Sequence, residues 1–474
     1  MEQAKALAAA ALLVALVSLG AVGYVAGKLS SISEKQDRIS ASISGLSQNV
    51  SRIAEAVGEI REGQNSSISK LASQIEALSS VLDDLSARLE SLESNQTSQA
   101  SNLTALAGEI EALQQQLLTL QQQLESGAAN VSELESAISR LASRIDSLYQ
   151  LVLFPVTVAD ATGEPVTIPS RPLRIVSLFP SVTEILWAVN ASSQVVAVDS
   201  YSDYPPEVVE LRENGTLVDI GSGWYPDVER ILAVRPDLVI GIDSVTSNHQ
   251  LKEELSHYGI PVILLPDATF GDVVRSIIIV GQATGHPAEA AALAASLEQN
   301  ATQVRSYIDE YLNSTGVPRA RVALIVWLSP LYVAGSGTFQ NDIITLAGGV
   351  NAYSNITGWR SVNPESLVEV NPDVIIVTAG HGAINMTRQQ VVDYLHSVIG
   401  DAVYNITAVQ TNRIYLVSYD YNDAMVRPAP RVAEAIYLTS IILYPGAYNV
   451  DPGSIPENLN STTFPLPAPP WQQG

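Results

Sequence analysis

The stretch Glu229–Ile240 (ERILAVRPDLVI) is echoed far downstream by Glu365–Ile376 (ESLVEVNPDVII). Glutamate, apolar pair, Pro-Asp and apolar run keep the same spacing in both. Each copy reads as a short helix, a break at Pro236-Asp237 or Pro372-Asp373, then a buried strand. Two equivalent α/β lobes explain the repeat most simply. Chance similarity is the alternative, because helix-Pro-Asp-strand turns are common. Matching surface carboxylates on two lobes suggest a clamp that closes on a ligand and docks on a partner.

Outward from the repeat, short apolar runs alternate with helical patterns. Strands are expected at 174–179, 195–198, 238–242 and 262–265, and again at 322–328, 374–377 and 414–417. Runs apolar on both faces and separated by helices mean parallel sheets covered by helices. Residues 156–168 read as a hairpin turning at Gly163. Between the two sets, Pro287 suits a helix start and Gly316 its end, with a stripe of Leu293, Leu297, Val304, Ile308 and Leu312. The Pro-rich tail after residue 450 reads as extended or disordered.

The N-terminal third has a different texture. Ala6–Gly27 is apolar enough to cross a bilayer. It reads as an uncleaved signal anchor, with a cleaved signal peptide as the alternative. From Leu29 to Leu148 apolar residues recur at steps of three and four, as in Ile68, Leu71, Ile75, Leu78, Leu82 and Leu85. That heptad seam predicts a long coiled coil, and so a homo-oligomer, with a stutter near Gly63. The expected divisions are 1–28 anchor, 29–150 stalk, 154–286 first lobe, 287–315 interlobe helix, 316–450 second lobe and 451–474 tail.

The 474 residues carry 25 basic and 49 acidic side chains, a formal charge of −24. This argues against a nucleic-acid partner, which needs clustered Lys and Arg. With no cysteine, disulfides, thiolate catalysis and Cys-based zinc sites are excluded. Acceptor sequons in the lobes begin at Asn190, Asn214, Asn300, Asn313, Asn355, Asn385 and Asn405, with more in the stalk and one at Asn460 in the tail. They are candidate glycosylation sites and place the bulk of the chain outside the cell. Anchor and sequons together fit a single-pass protein of an archaeal-type cell surface.

Residues 156–448 resemble the substrate-binding proteins of ABC importers for iron-siderophores and cobalamin. The likeness rests on Arg174–Leu186 (RIVSLFPSVTEIL), on Gly335–Asp342 (GSGTFQND) with Ala347–Asn351 (AGGVN), and on Ser200–Pro206 (SYSDYPP). The resemblance implies two Rossmann-like lobes bridged by one long helix, an organic metal chelate (iron-siderophore or cobalamin) between them, and delivery to an ABC permease dimer. It implies that Glu229 and Glu365 pair with permease arginines. Their alternative role is to favour the helix dipole from the first turn, behind caps at Asp227 and Asn363. Tyr201, Trp224 and Trp359 match aromatic cleft positions of the cobalamin binders, while Ile242 replaces another cleft tryptophan. Asp420, Tyr421 and Arg427 fall where relatives line the cleft, and Arg431 starts the final helix.

No enzyme is expected. Gly335-Ser336-Gly337 lacks the nucleophile-elbow pattern and the lysine of a phosphate loop. No cofactor or metal site is expected either. Of the five histidines only His249 and His381 are placed to face a cleft, too few for a bare-metal site. The competing reading is a structural or sensory surface protein that uses the binding fold as a head on a coiled-coil spacer.

Overall fold

The computed structural model describes residues 154–378 and 386–472. The expected anchor and stalk, His381 and Asn385 lie outside them. Among the described residues no helix is long and apolar enough to cross a membrane.

The chain divides into two compact units. In the first, the described residues are 154–158, Thr167–Pro172 and Gly281–Glu289. There Arg171 Nη2 lies 3.3 Å from His286 Nε2. Burial, with the Arg171 charge added, pushes His286 down to about 4, so it is neutral at neutral pH. The second unit comprises Ala159–Val166, Leu173–Val280 and Ala290–Gly474, and holds both large sheets.

Strands β1 (Val156–Ala159) and β2 (Pro165–Ile168) form the hairpin. The first large sheet has β3 (Ile175–Ser177), β4 (Val195–Val198), β5 (Val218–Asp219), β6 (Leu238–Ile242) and β7 (Val262–Leu265) in the order β5-β4-β3-β6-β7. Every pairing is parallel. Helices α1 (Pro180–Ala188), α2 (Glu207–Glu213), α3 (Val228–Ala233), α4 (Thr246–Ser256) and α5 (Phe270–Thr284) follow the strands in turn. Buried on both faces, β3, β6 and β7 read as continuous apolar runs for that reason.

Helix α6 (Pro287–Thr315) links this lobe to the second. It buries Leu297, Val304, Ile308 and Leu312 and the small Ala290, Ala294 and Ala301. Gly316 ends it at φ +73°, and its N–H donates to the Leu312 carbonyl.

The second sheet runs β11-β9-β8-β12-β13-β14, with β10 beside β8. Its strands are β8 (Arg321–Trp327), β9 (Tyr332–Ala334), β10 (Val350–Asn351), β11 (Trp359–Ser361), β12 (Val374–Thr378), β13 (Ile414–Val417) and β14 (Asn458–Leu459). Pairings of β12 with β8 and β13, and of β13 with β14, are parallel, whereas β9 is antiparallel to β8 and β11. Its helices are α7 (Phe339–Leu346), α8 (Ser366–Val370), α9 (Arg388–Ile399), α10 (Thr407–Gln410), α11 (Tyr419–Val426) and α12 (Val432–Leu443). Ile325, Val333, Leu367, Ile375, Val377, Leu395 and Leu416 form one core.

The repeated phrase does the same work in each lobe. Asp237 accepts backbone N–H from Leu173 and Arg174, at 2.8 and 2.9 Å, and Asp373 accepts from Arg321 at 2.8 Å. The Arg174 side chain donates to the Val234 carbonyl at the end of α3, and Arg321 to the Val370 carbonyl at the end of α8. Arg235 and Asn371 both take positive φ, 47° and 38°, before the proline. Each Pro-Asp therefore ties a helix end to the start of the neighbouring strand, with the same contacts in both lobes.

The tail corrects the expectation of an extended or disordered end. Asn458–Leu459 adds the edge strand β14. Tyr421 Oη donates to the Phe464 carbonyl at 2.9 Å, and Tyr437 Oη to that of Pro467 at 3.1 Å. Trp471 packs edge-on against Tyr307 and Tyr437, with centroids 5.6 and 5.7 Å away. Prolines remove donors but keep carbonyls, and Tyr437 uses that of Pro467 as Tyr421 uses that of Phe464.

Candidate functional site

In the first sheet the strand order reverses between β3 and β6, and residues that follow the carboxyl ends of its strands converge there, as is usual in open α/β sheets. Phe179, Pro180 and Ser181 follow β3, Asp199 and Tyr201 follow β4, Ile242 ends β6 with Ser244 just beyond, and Asp267 follows β7. The second lobe supplies Val326 from β8, Phe339 and Gln340 from α7, Trp359 from β11, and Val426, Arg427 and Pro428 at the end of α11. With Trp224 they enclose a cavity of about 480 Å³, within the usual range for small-molecule sites.

Both lobes contribute flat aromatic walls. Trp224 meets Phe179 edge to face at 5.6 Å and remains 53% exposed. Trp359 packs near-perpendicular to Phe339, and its indole N–H donates to Gln340 Oε1 at 3.0 Å. Tyr201 is 46% exposed at the opening. The Trp224 loop is held from below, since Ser247 Oγ donates to the Trp224 carbonyl and buried Asn248 to that of Gly223. A Cβ at Gly223 would lie 1.8 Å from the Leu178 carbonyl oxygen, so only glycine lets the loop sit this low. Gly335 does the same for Trp359, because a Cβ there would meet the Ile356 carbonyl oxygen at 2.3 Å.

The charged groups of the lining are two aspartates and one arginine. Asp199 is buried and accepts from Ser202 Oγ and the Tyr201 N–H; burial outweighs these bonds and pushes its carboxyl up to about 6. Burial likewise raises Asp267, which accepts from Ser244 Oγ. Arg427 is only 5% exposed. Its Nη1 lies 2.6 Å from Asp203 and 3.2 Å from Glu184, and its Nη2 lies 3.1 Å from Asp423. Behind it Arg431 makes a bidentate pair with Glu184, at 2.6 and 2.9 Å, and lies 4.0 Å above the Tyr204 ring. Glu184 belongs to α1 of the first lobe and both arginines to the second, so a buried ion cluster joins the lobes beside the cavity.

Of the expected ligand residues, Tyr201, Trp224, Trp359 and Arg427 line the cavity together. Asp420 and Tyr421 do not, which corrects that expectation. They sit in the first turn of α11 and turn toward the tail: Asp420 accepts from the Ser461 N–H, and Tyr421 is buried on Phe464. Arg427 also differs from expectation in being already paired by protein carboxylates. Arg431 immediately precedes α12 and serves as its N-cap. His249 is held at the Asp243 carbonyl and is not among the lining residues. The cavity acids and Glu184 were missed. The signal for Glu184 was a lone charge inside the apolar run Pro180–Ala188.

Glu229 and Glu365 are both exposed. Glu229 occupies the first turn of α3 behind the Asp227 cap. Glu365 is itself the N-cap of α8, while the Asn363 side chain accepts the Glu365 N–H at 3.2 Å. Among the sequons, Asn190, Asn214, Asn313, Asn355 and Asn405 are exposed and Asn300 is half-buried. Asn460 is engaged in the tail, accepting from the Thr462 and Thr463 N–H groups.

Comparison with known proteins agrees with this architecture. The family model described as periplasmic binding protein matches residues 175–421. A vitamin B12-binding protein of Pectobacterium carotovorum is 30% identical over 207 residues, 44% of this chain and 71% of that protein. A cobalamin-binding protein of Halobacterium salinarum is 28% identical over 295 residues, 61% of this chain and 76% of that one. The crystal structure of a periplasmic haem-binding protein from Pseudomonas aeruginosa shares the fold, with a TM-score of 0.50 at 21% identity over 58% of this chain and 93% of its own. Two sheets with a cavity at their facing strand ends, and a family match across both, establish that the chain belongs to the periplasmic binding protein family.

Proposed function

We propose that this protein captures an organic metal chelate, a corrinoid such as cobalamin or a ferric siderophore, and delivers it to an ABC permease. The observation that carries the reading is the pair of aromatic walls, Trp224 with Phe179 and Trp359 with Phe339, facing one cavity from opposite lobes. Such walls hold a large ring by face and edge contact, while Ser181, Ser244, Gln340 and the aspartates meet its polar rim. Relatives that bind vitamin B12 or cobalamin support the corrinoid reading. Glu229 and Glu365 are exposed at equivalent places in the two lobes, as docking on a two-fold permease needs. The apolar run 6–27 serves as the anchor, and the heptad seam raises an oligomer of binding heads above the membrane. Sequons at Asn190, Asn214, Asn300, Asn313, Asn355, Asn385 and Asn405 are its glycosylation candidates.

The test is calorimetric titration of the full chain with cyanocobalamin, haemin and a ferric hydroxamate. Micromolar or tighter binding of a corrinoid or siderophore is expected. No binding of any of them would count against capture. A sensory or structural head is separated from an importer component by ATPase measurements with a cognate permease, which only the importer reading requires to be stimulated.

A further inference from the structure

The charges around the cavity are out of balance. Among the described residues that line it, Asp199 and Asp267 are anionic groups and Arg427 is the cation. That cation is ion-paired with Glu184, Asp203 and Asp423, its hydrogen bonds running from Nη1 while the buried Nε and Nη2 make none. Arg431 is turned to Glu184, and Arg212 donates to the carbonyls of Asp199 and Ser202 from behind the wall. Near the cavity, then, five carboxylates stand against three guanidiniums. Asp243 and Asp272 add to the negative field at Asp267. Asp199, with its pKa at about 6, still carries charge at neutral pH.

A ligand carboxylate entering this space meets the like charge of Asp199 and Asp267, and the guanidinium at hand is already surrounded by three carboxylates. A ligand amide N–H meets carboxylate oxygens with lone pairs to spare, since each carboxylate offers about four acceptor sites. We infer that the cleft selects its chelate by charge: it admits an uncharged or cationic ligand rich in hydrogen-bond donors and rejects one bearing free carboxylates, with Asp199 and Asp267 enforcing the rejection. This rests on the chelate-capture reading and narrows its ligand class. Like charges several ångströms apart in a partly buried site repel strongly enough to cost about tenfold or more in affinity.

The experiment compares two ligands that differ only in charge. Cyanocobalamin and its monocarboxylate, made by hydrolysing one peripheral amide, are titrated into the full chain and into the Asp267→Asn and Asp199→Asn variants. A second pair, haemin and its dimethyl ester, repeats the comparison on another macrocycle. The wild type is expected to bind the uncharged member of a pair at least about tenfold more tightly, and Asp267→Asn to narrow that ratio to about threefold or less. Because Asp199 is a buried acceptor whose variant can misfold, Asp267→Asn is the deciding variant. Equal or tighter binding of the acids overturns the charge filter alone, as does a ratio that Asp267→Asn leaves unchanged. Failure of every chelate to bind, charged and uncharged alike, overturns the capture reading beneath it.

Discussion

Asp199 is the side chain whose surroundings set the most specific expectation. Its carboxyl is raised to about 6 by burial, so carboxyl-carbon NMR of the free protein should show one aspartate titrating near there. The sign for stability follows. Between the ordinary value of 3.8 and about 6 the folded state binds the proton more readily than the unfolded chain. Stability from this group therefore rises as pH falls through that window and is lost as pH rises. Urea unfolding should show the wild type gaining on Asp199→Asn between pH 7 and 4.5. Gly223→Ala should destabilise by about 1–3 kcal/mol, since the Leu178 carbonyl must move. Tyr201, Trp224 and Trp359 were legible because they match aromatic cleft positions of the cobalamin binders, and both tryptophans directly follow a glycine; Phe179 and Phe339, which also line the cavity, look like ordinary core residues in sequence. Glu184 was not, because its partners are remote in sequence: Glu184 and Arg431 are 247 residues apart. Asp199 and Asp267 were not, because an aspartate just after a strand reads as an ordinary turn residue until the opposite lobe is in place. Only folding brings such groups together.

Among the elements, the tail and the repeated helix-strand turns carry separate expectations. Trp471 packs on Tyr307 of α6 and Tyr437 of α12, so Trp471→Ala should cost about 1–3 kcal/mol by denaturant titration, less than a fully buried tryptophan would. Removing residues 451–474 should do more, because it bares the open edge of β13 and invites aggregation, visible by light scattering. The main strands were readable since their apolar runs are buried on both faces. The two-residue strands β5, β10 and β14 and the short β9 and β11 were not, because so few residues carry no period. Proline content misled the reading of the tail. It reports missing donors and says nothing of the tyrosine hydroxyls that bond the tail's carbonyls.

At the scale of the molecule, the ion cluster of Glu184, Arg427 and Arg431 joins the two lobes within one compact unit. Glu184→Gln removes the carboxylate that pairs with buried Arg431 and one of the three around Arg427, so it should destabilise by about 3–5 kcal/mol and broaden interlobe distances measured by paired spin labels. Substitution of Glu229 and Glu365 by Ala should leave ligand affinity unchanged, since both lie outside the cavity lining, and abolish stimulation of a cognate ATPase. The central claim is that a ring-shaped chelate lies between Trp224 and Trp359. Calorimetric titration of cyanocobalamin into the full chain and into the Trp224→Ala, Trp359→Ala double variant tests it most directly. The account predicts one ligand per head for the wild type and an affinity about a hundredfold lower for the variant, the loss of two stacked aromatics. Equal affinity in both proteins, or no binding of the wild type to cobalamin, haemin or ferric hydroxamate, would contradict it.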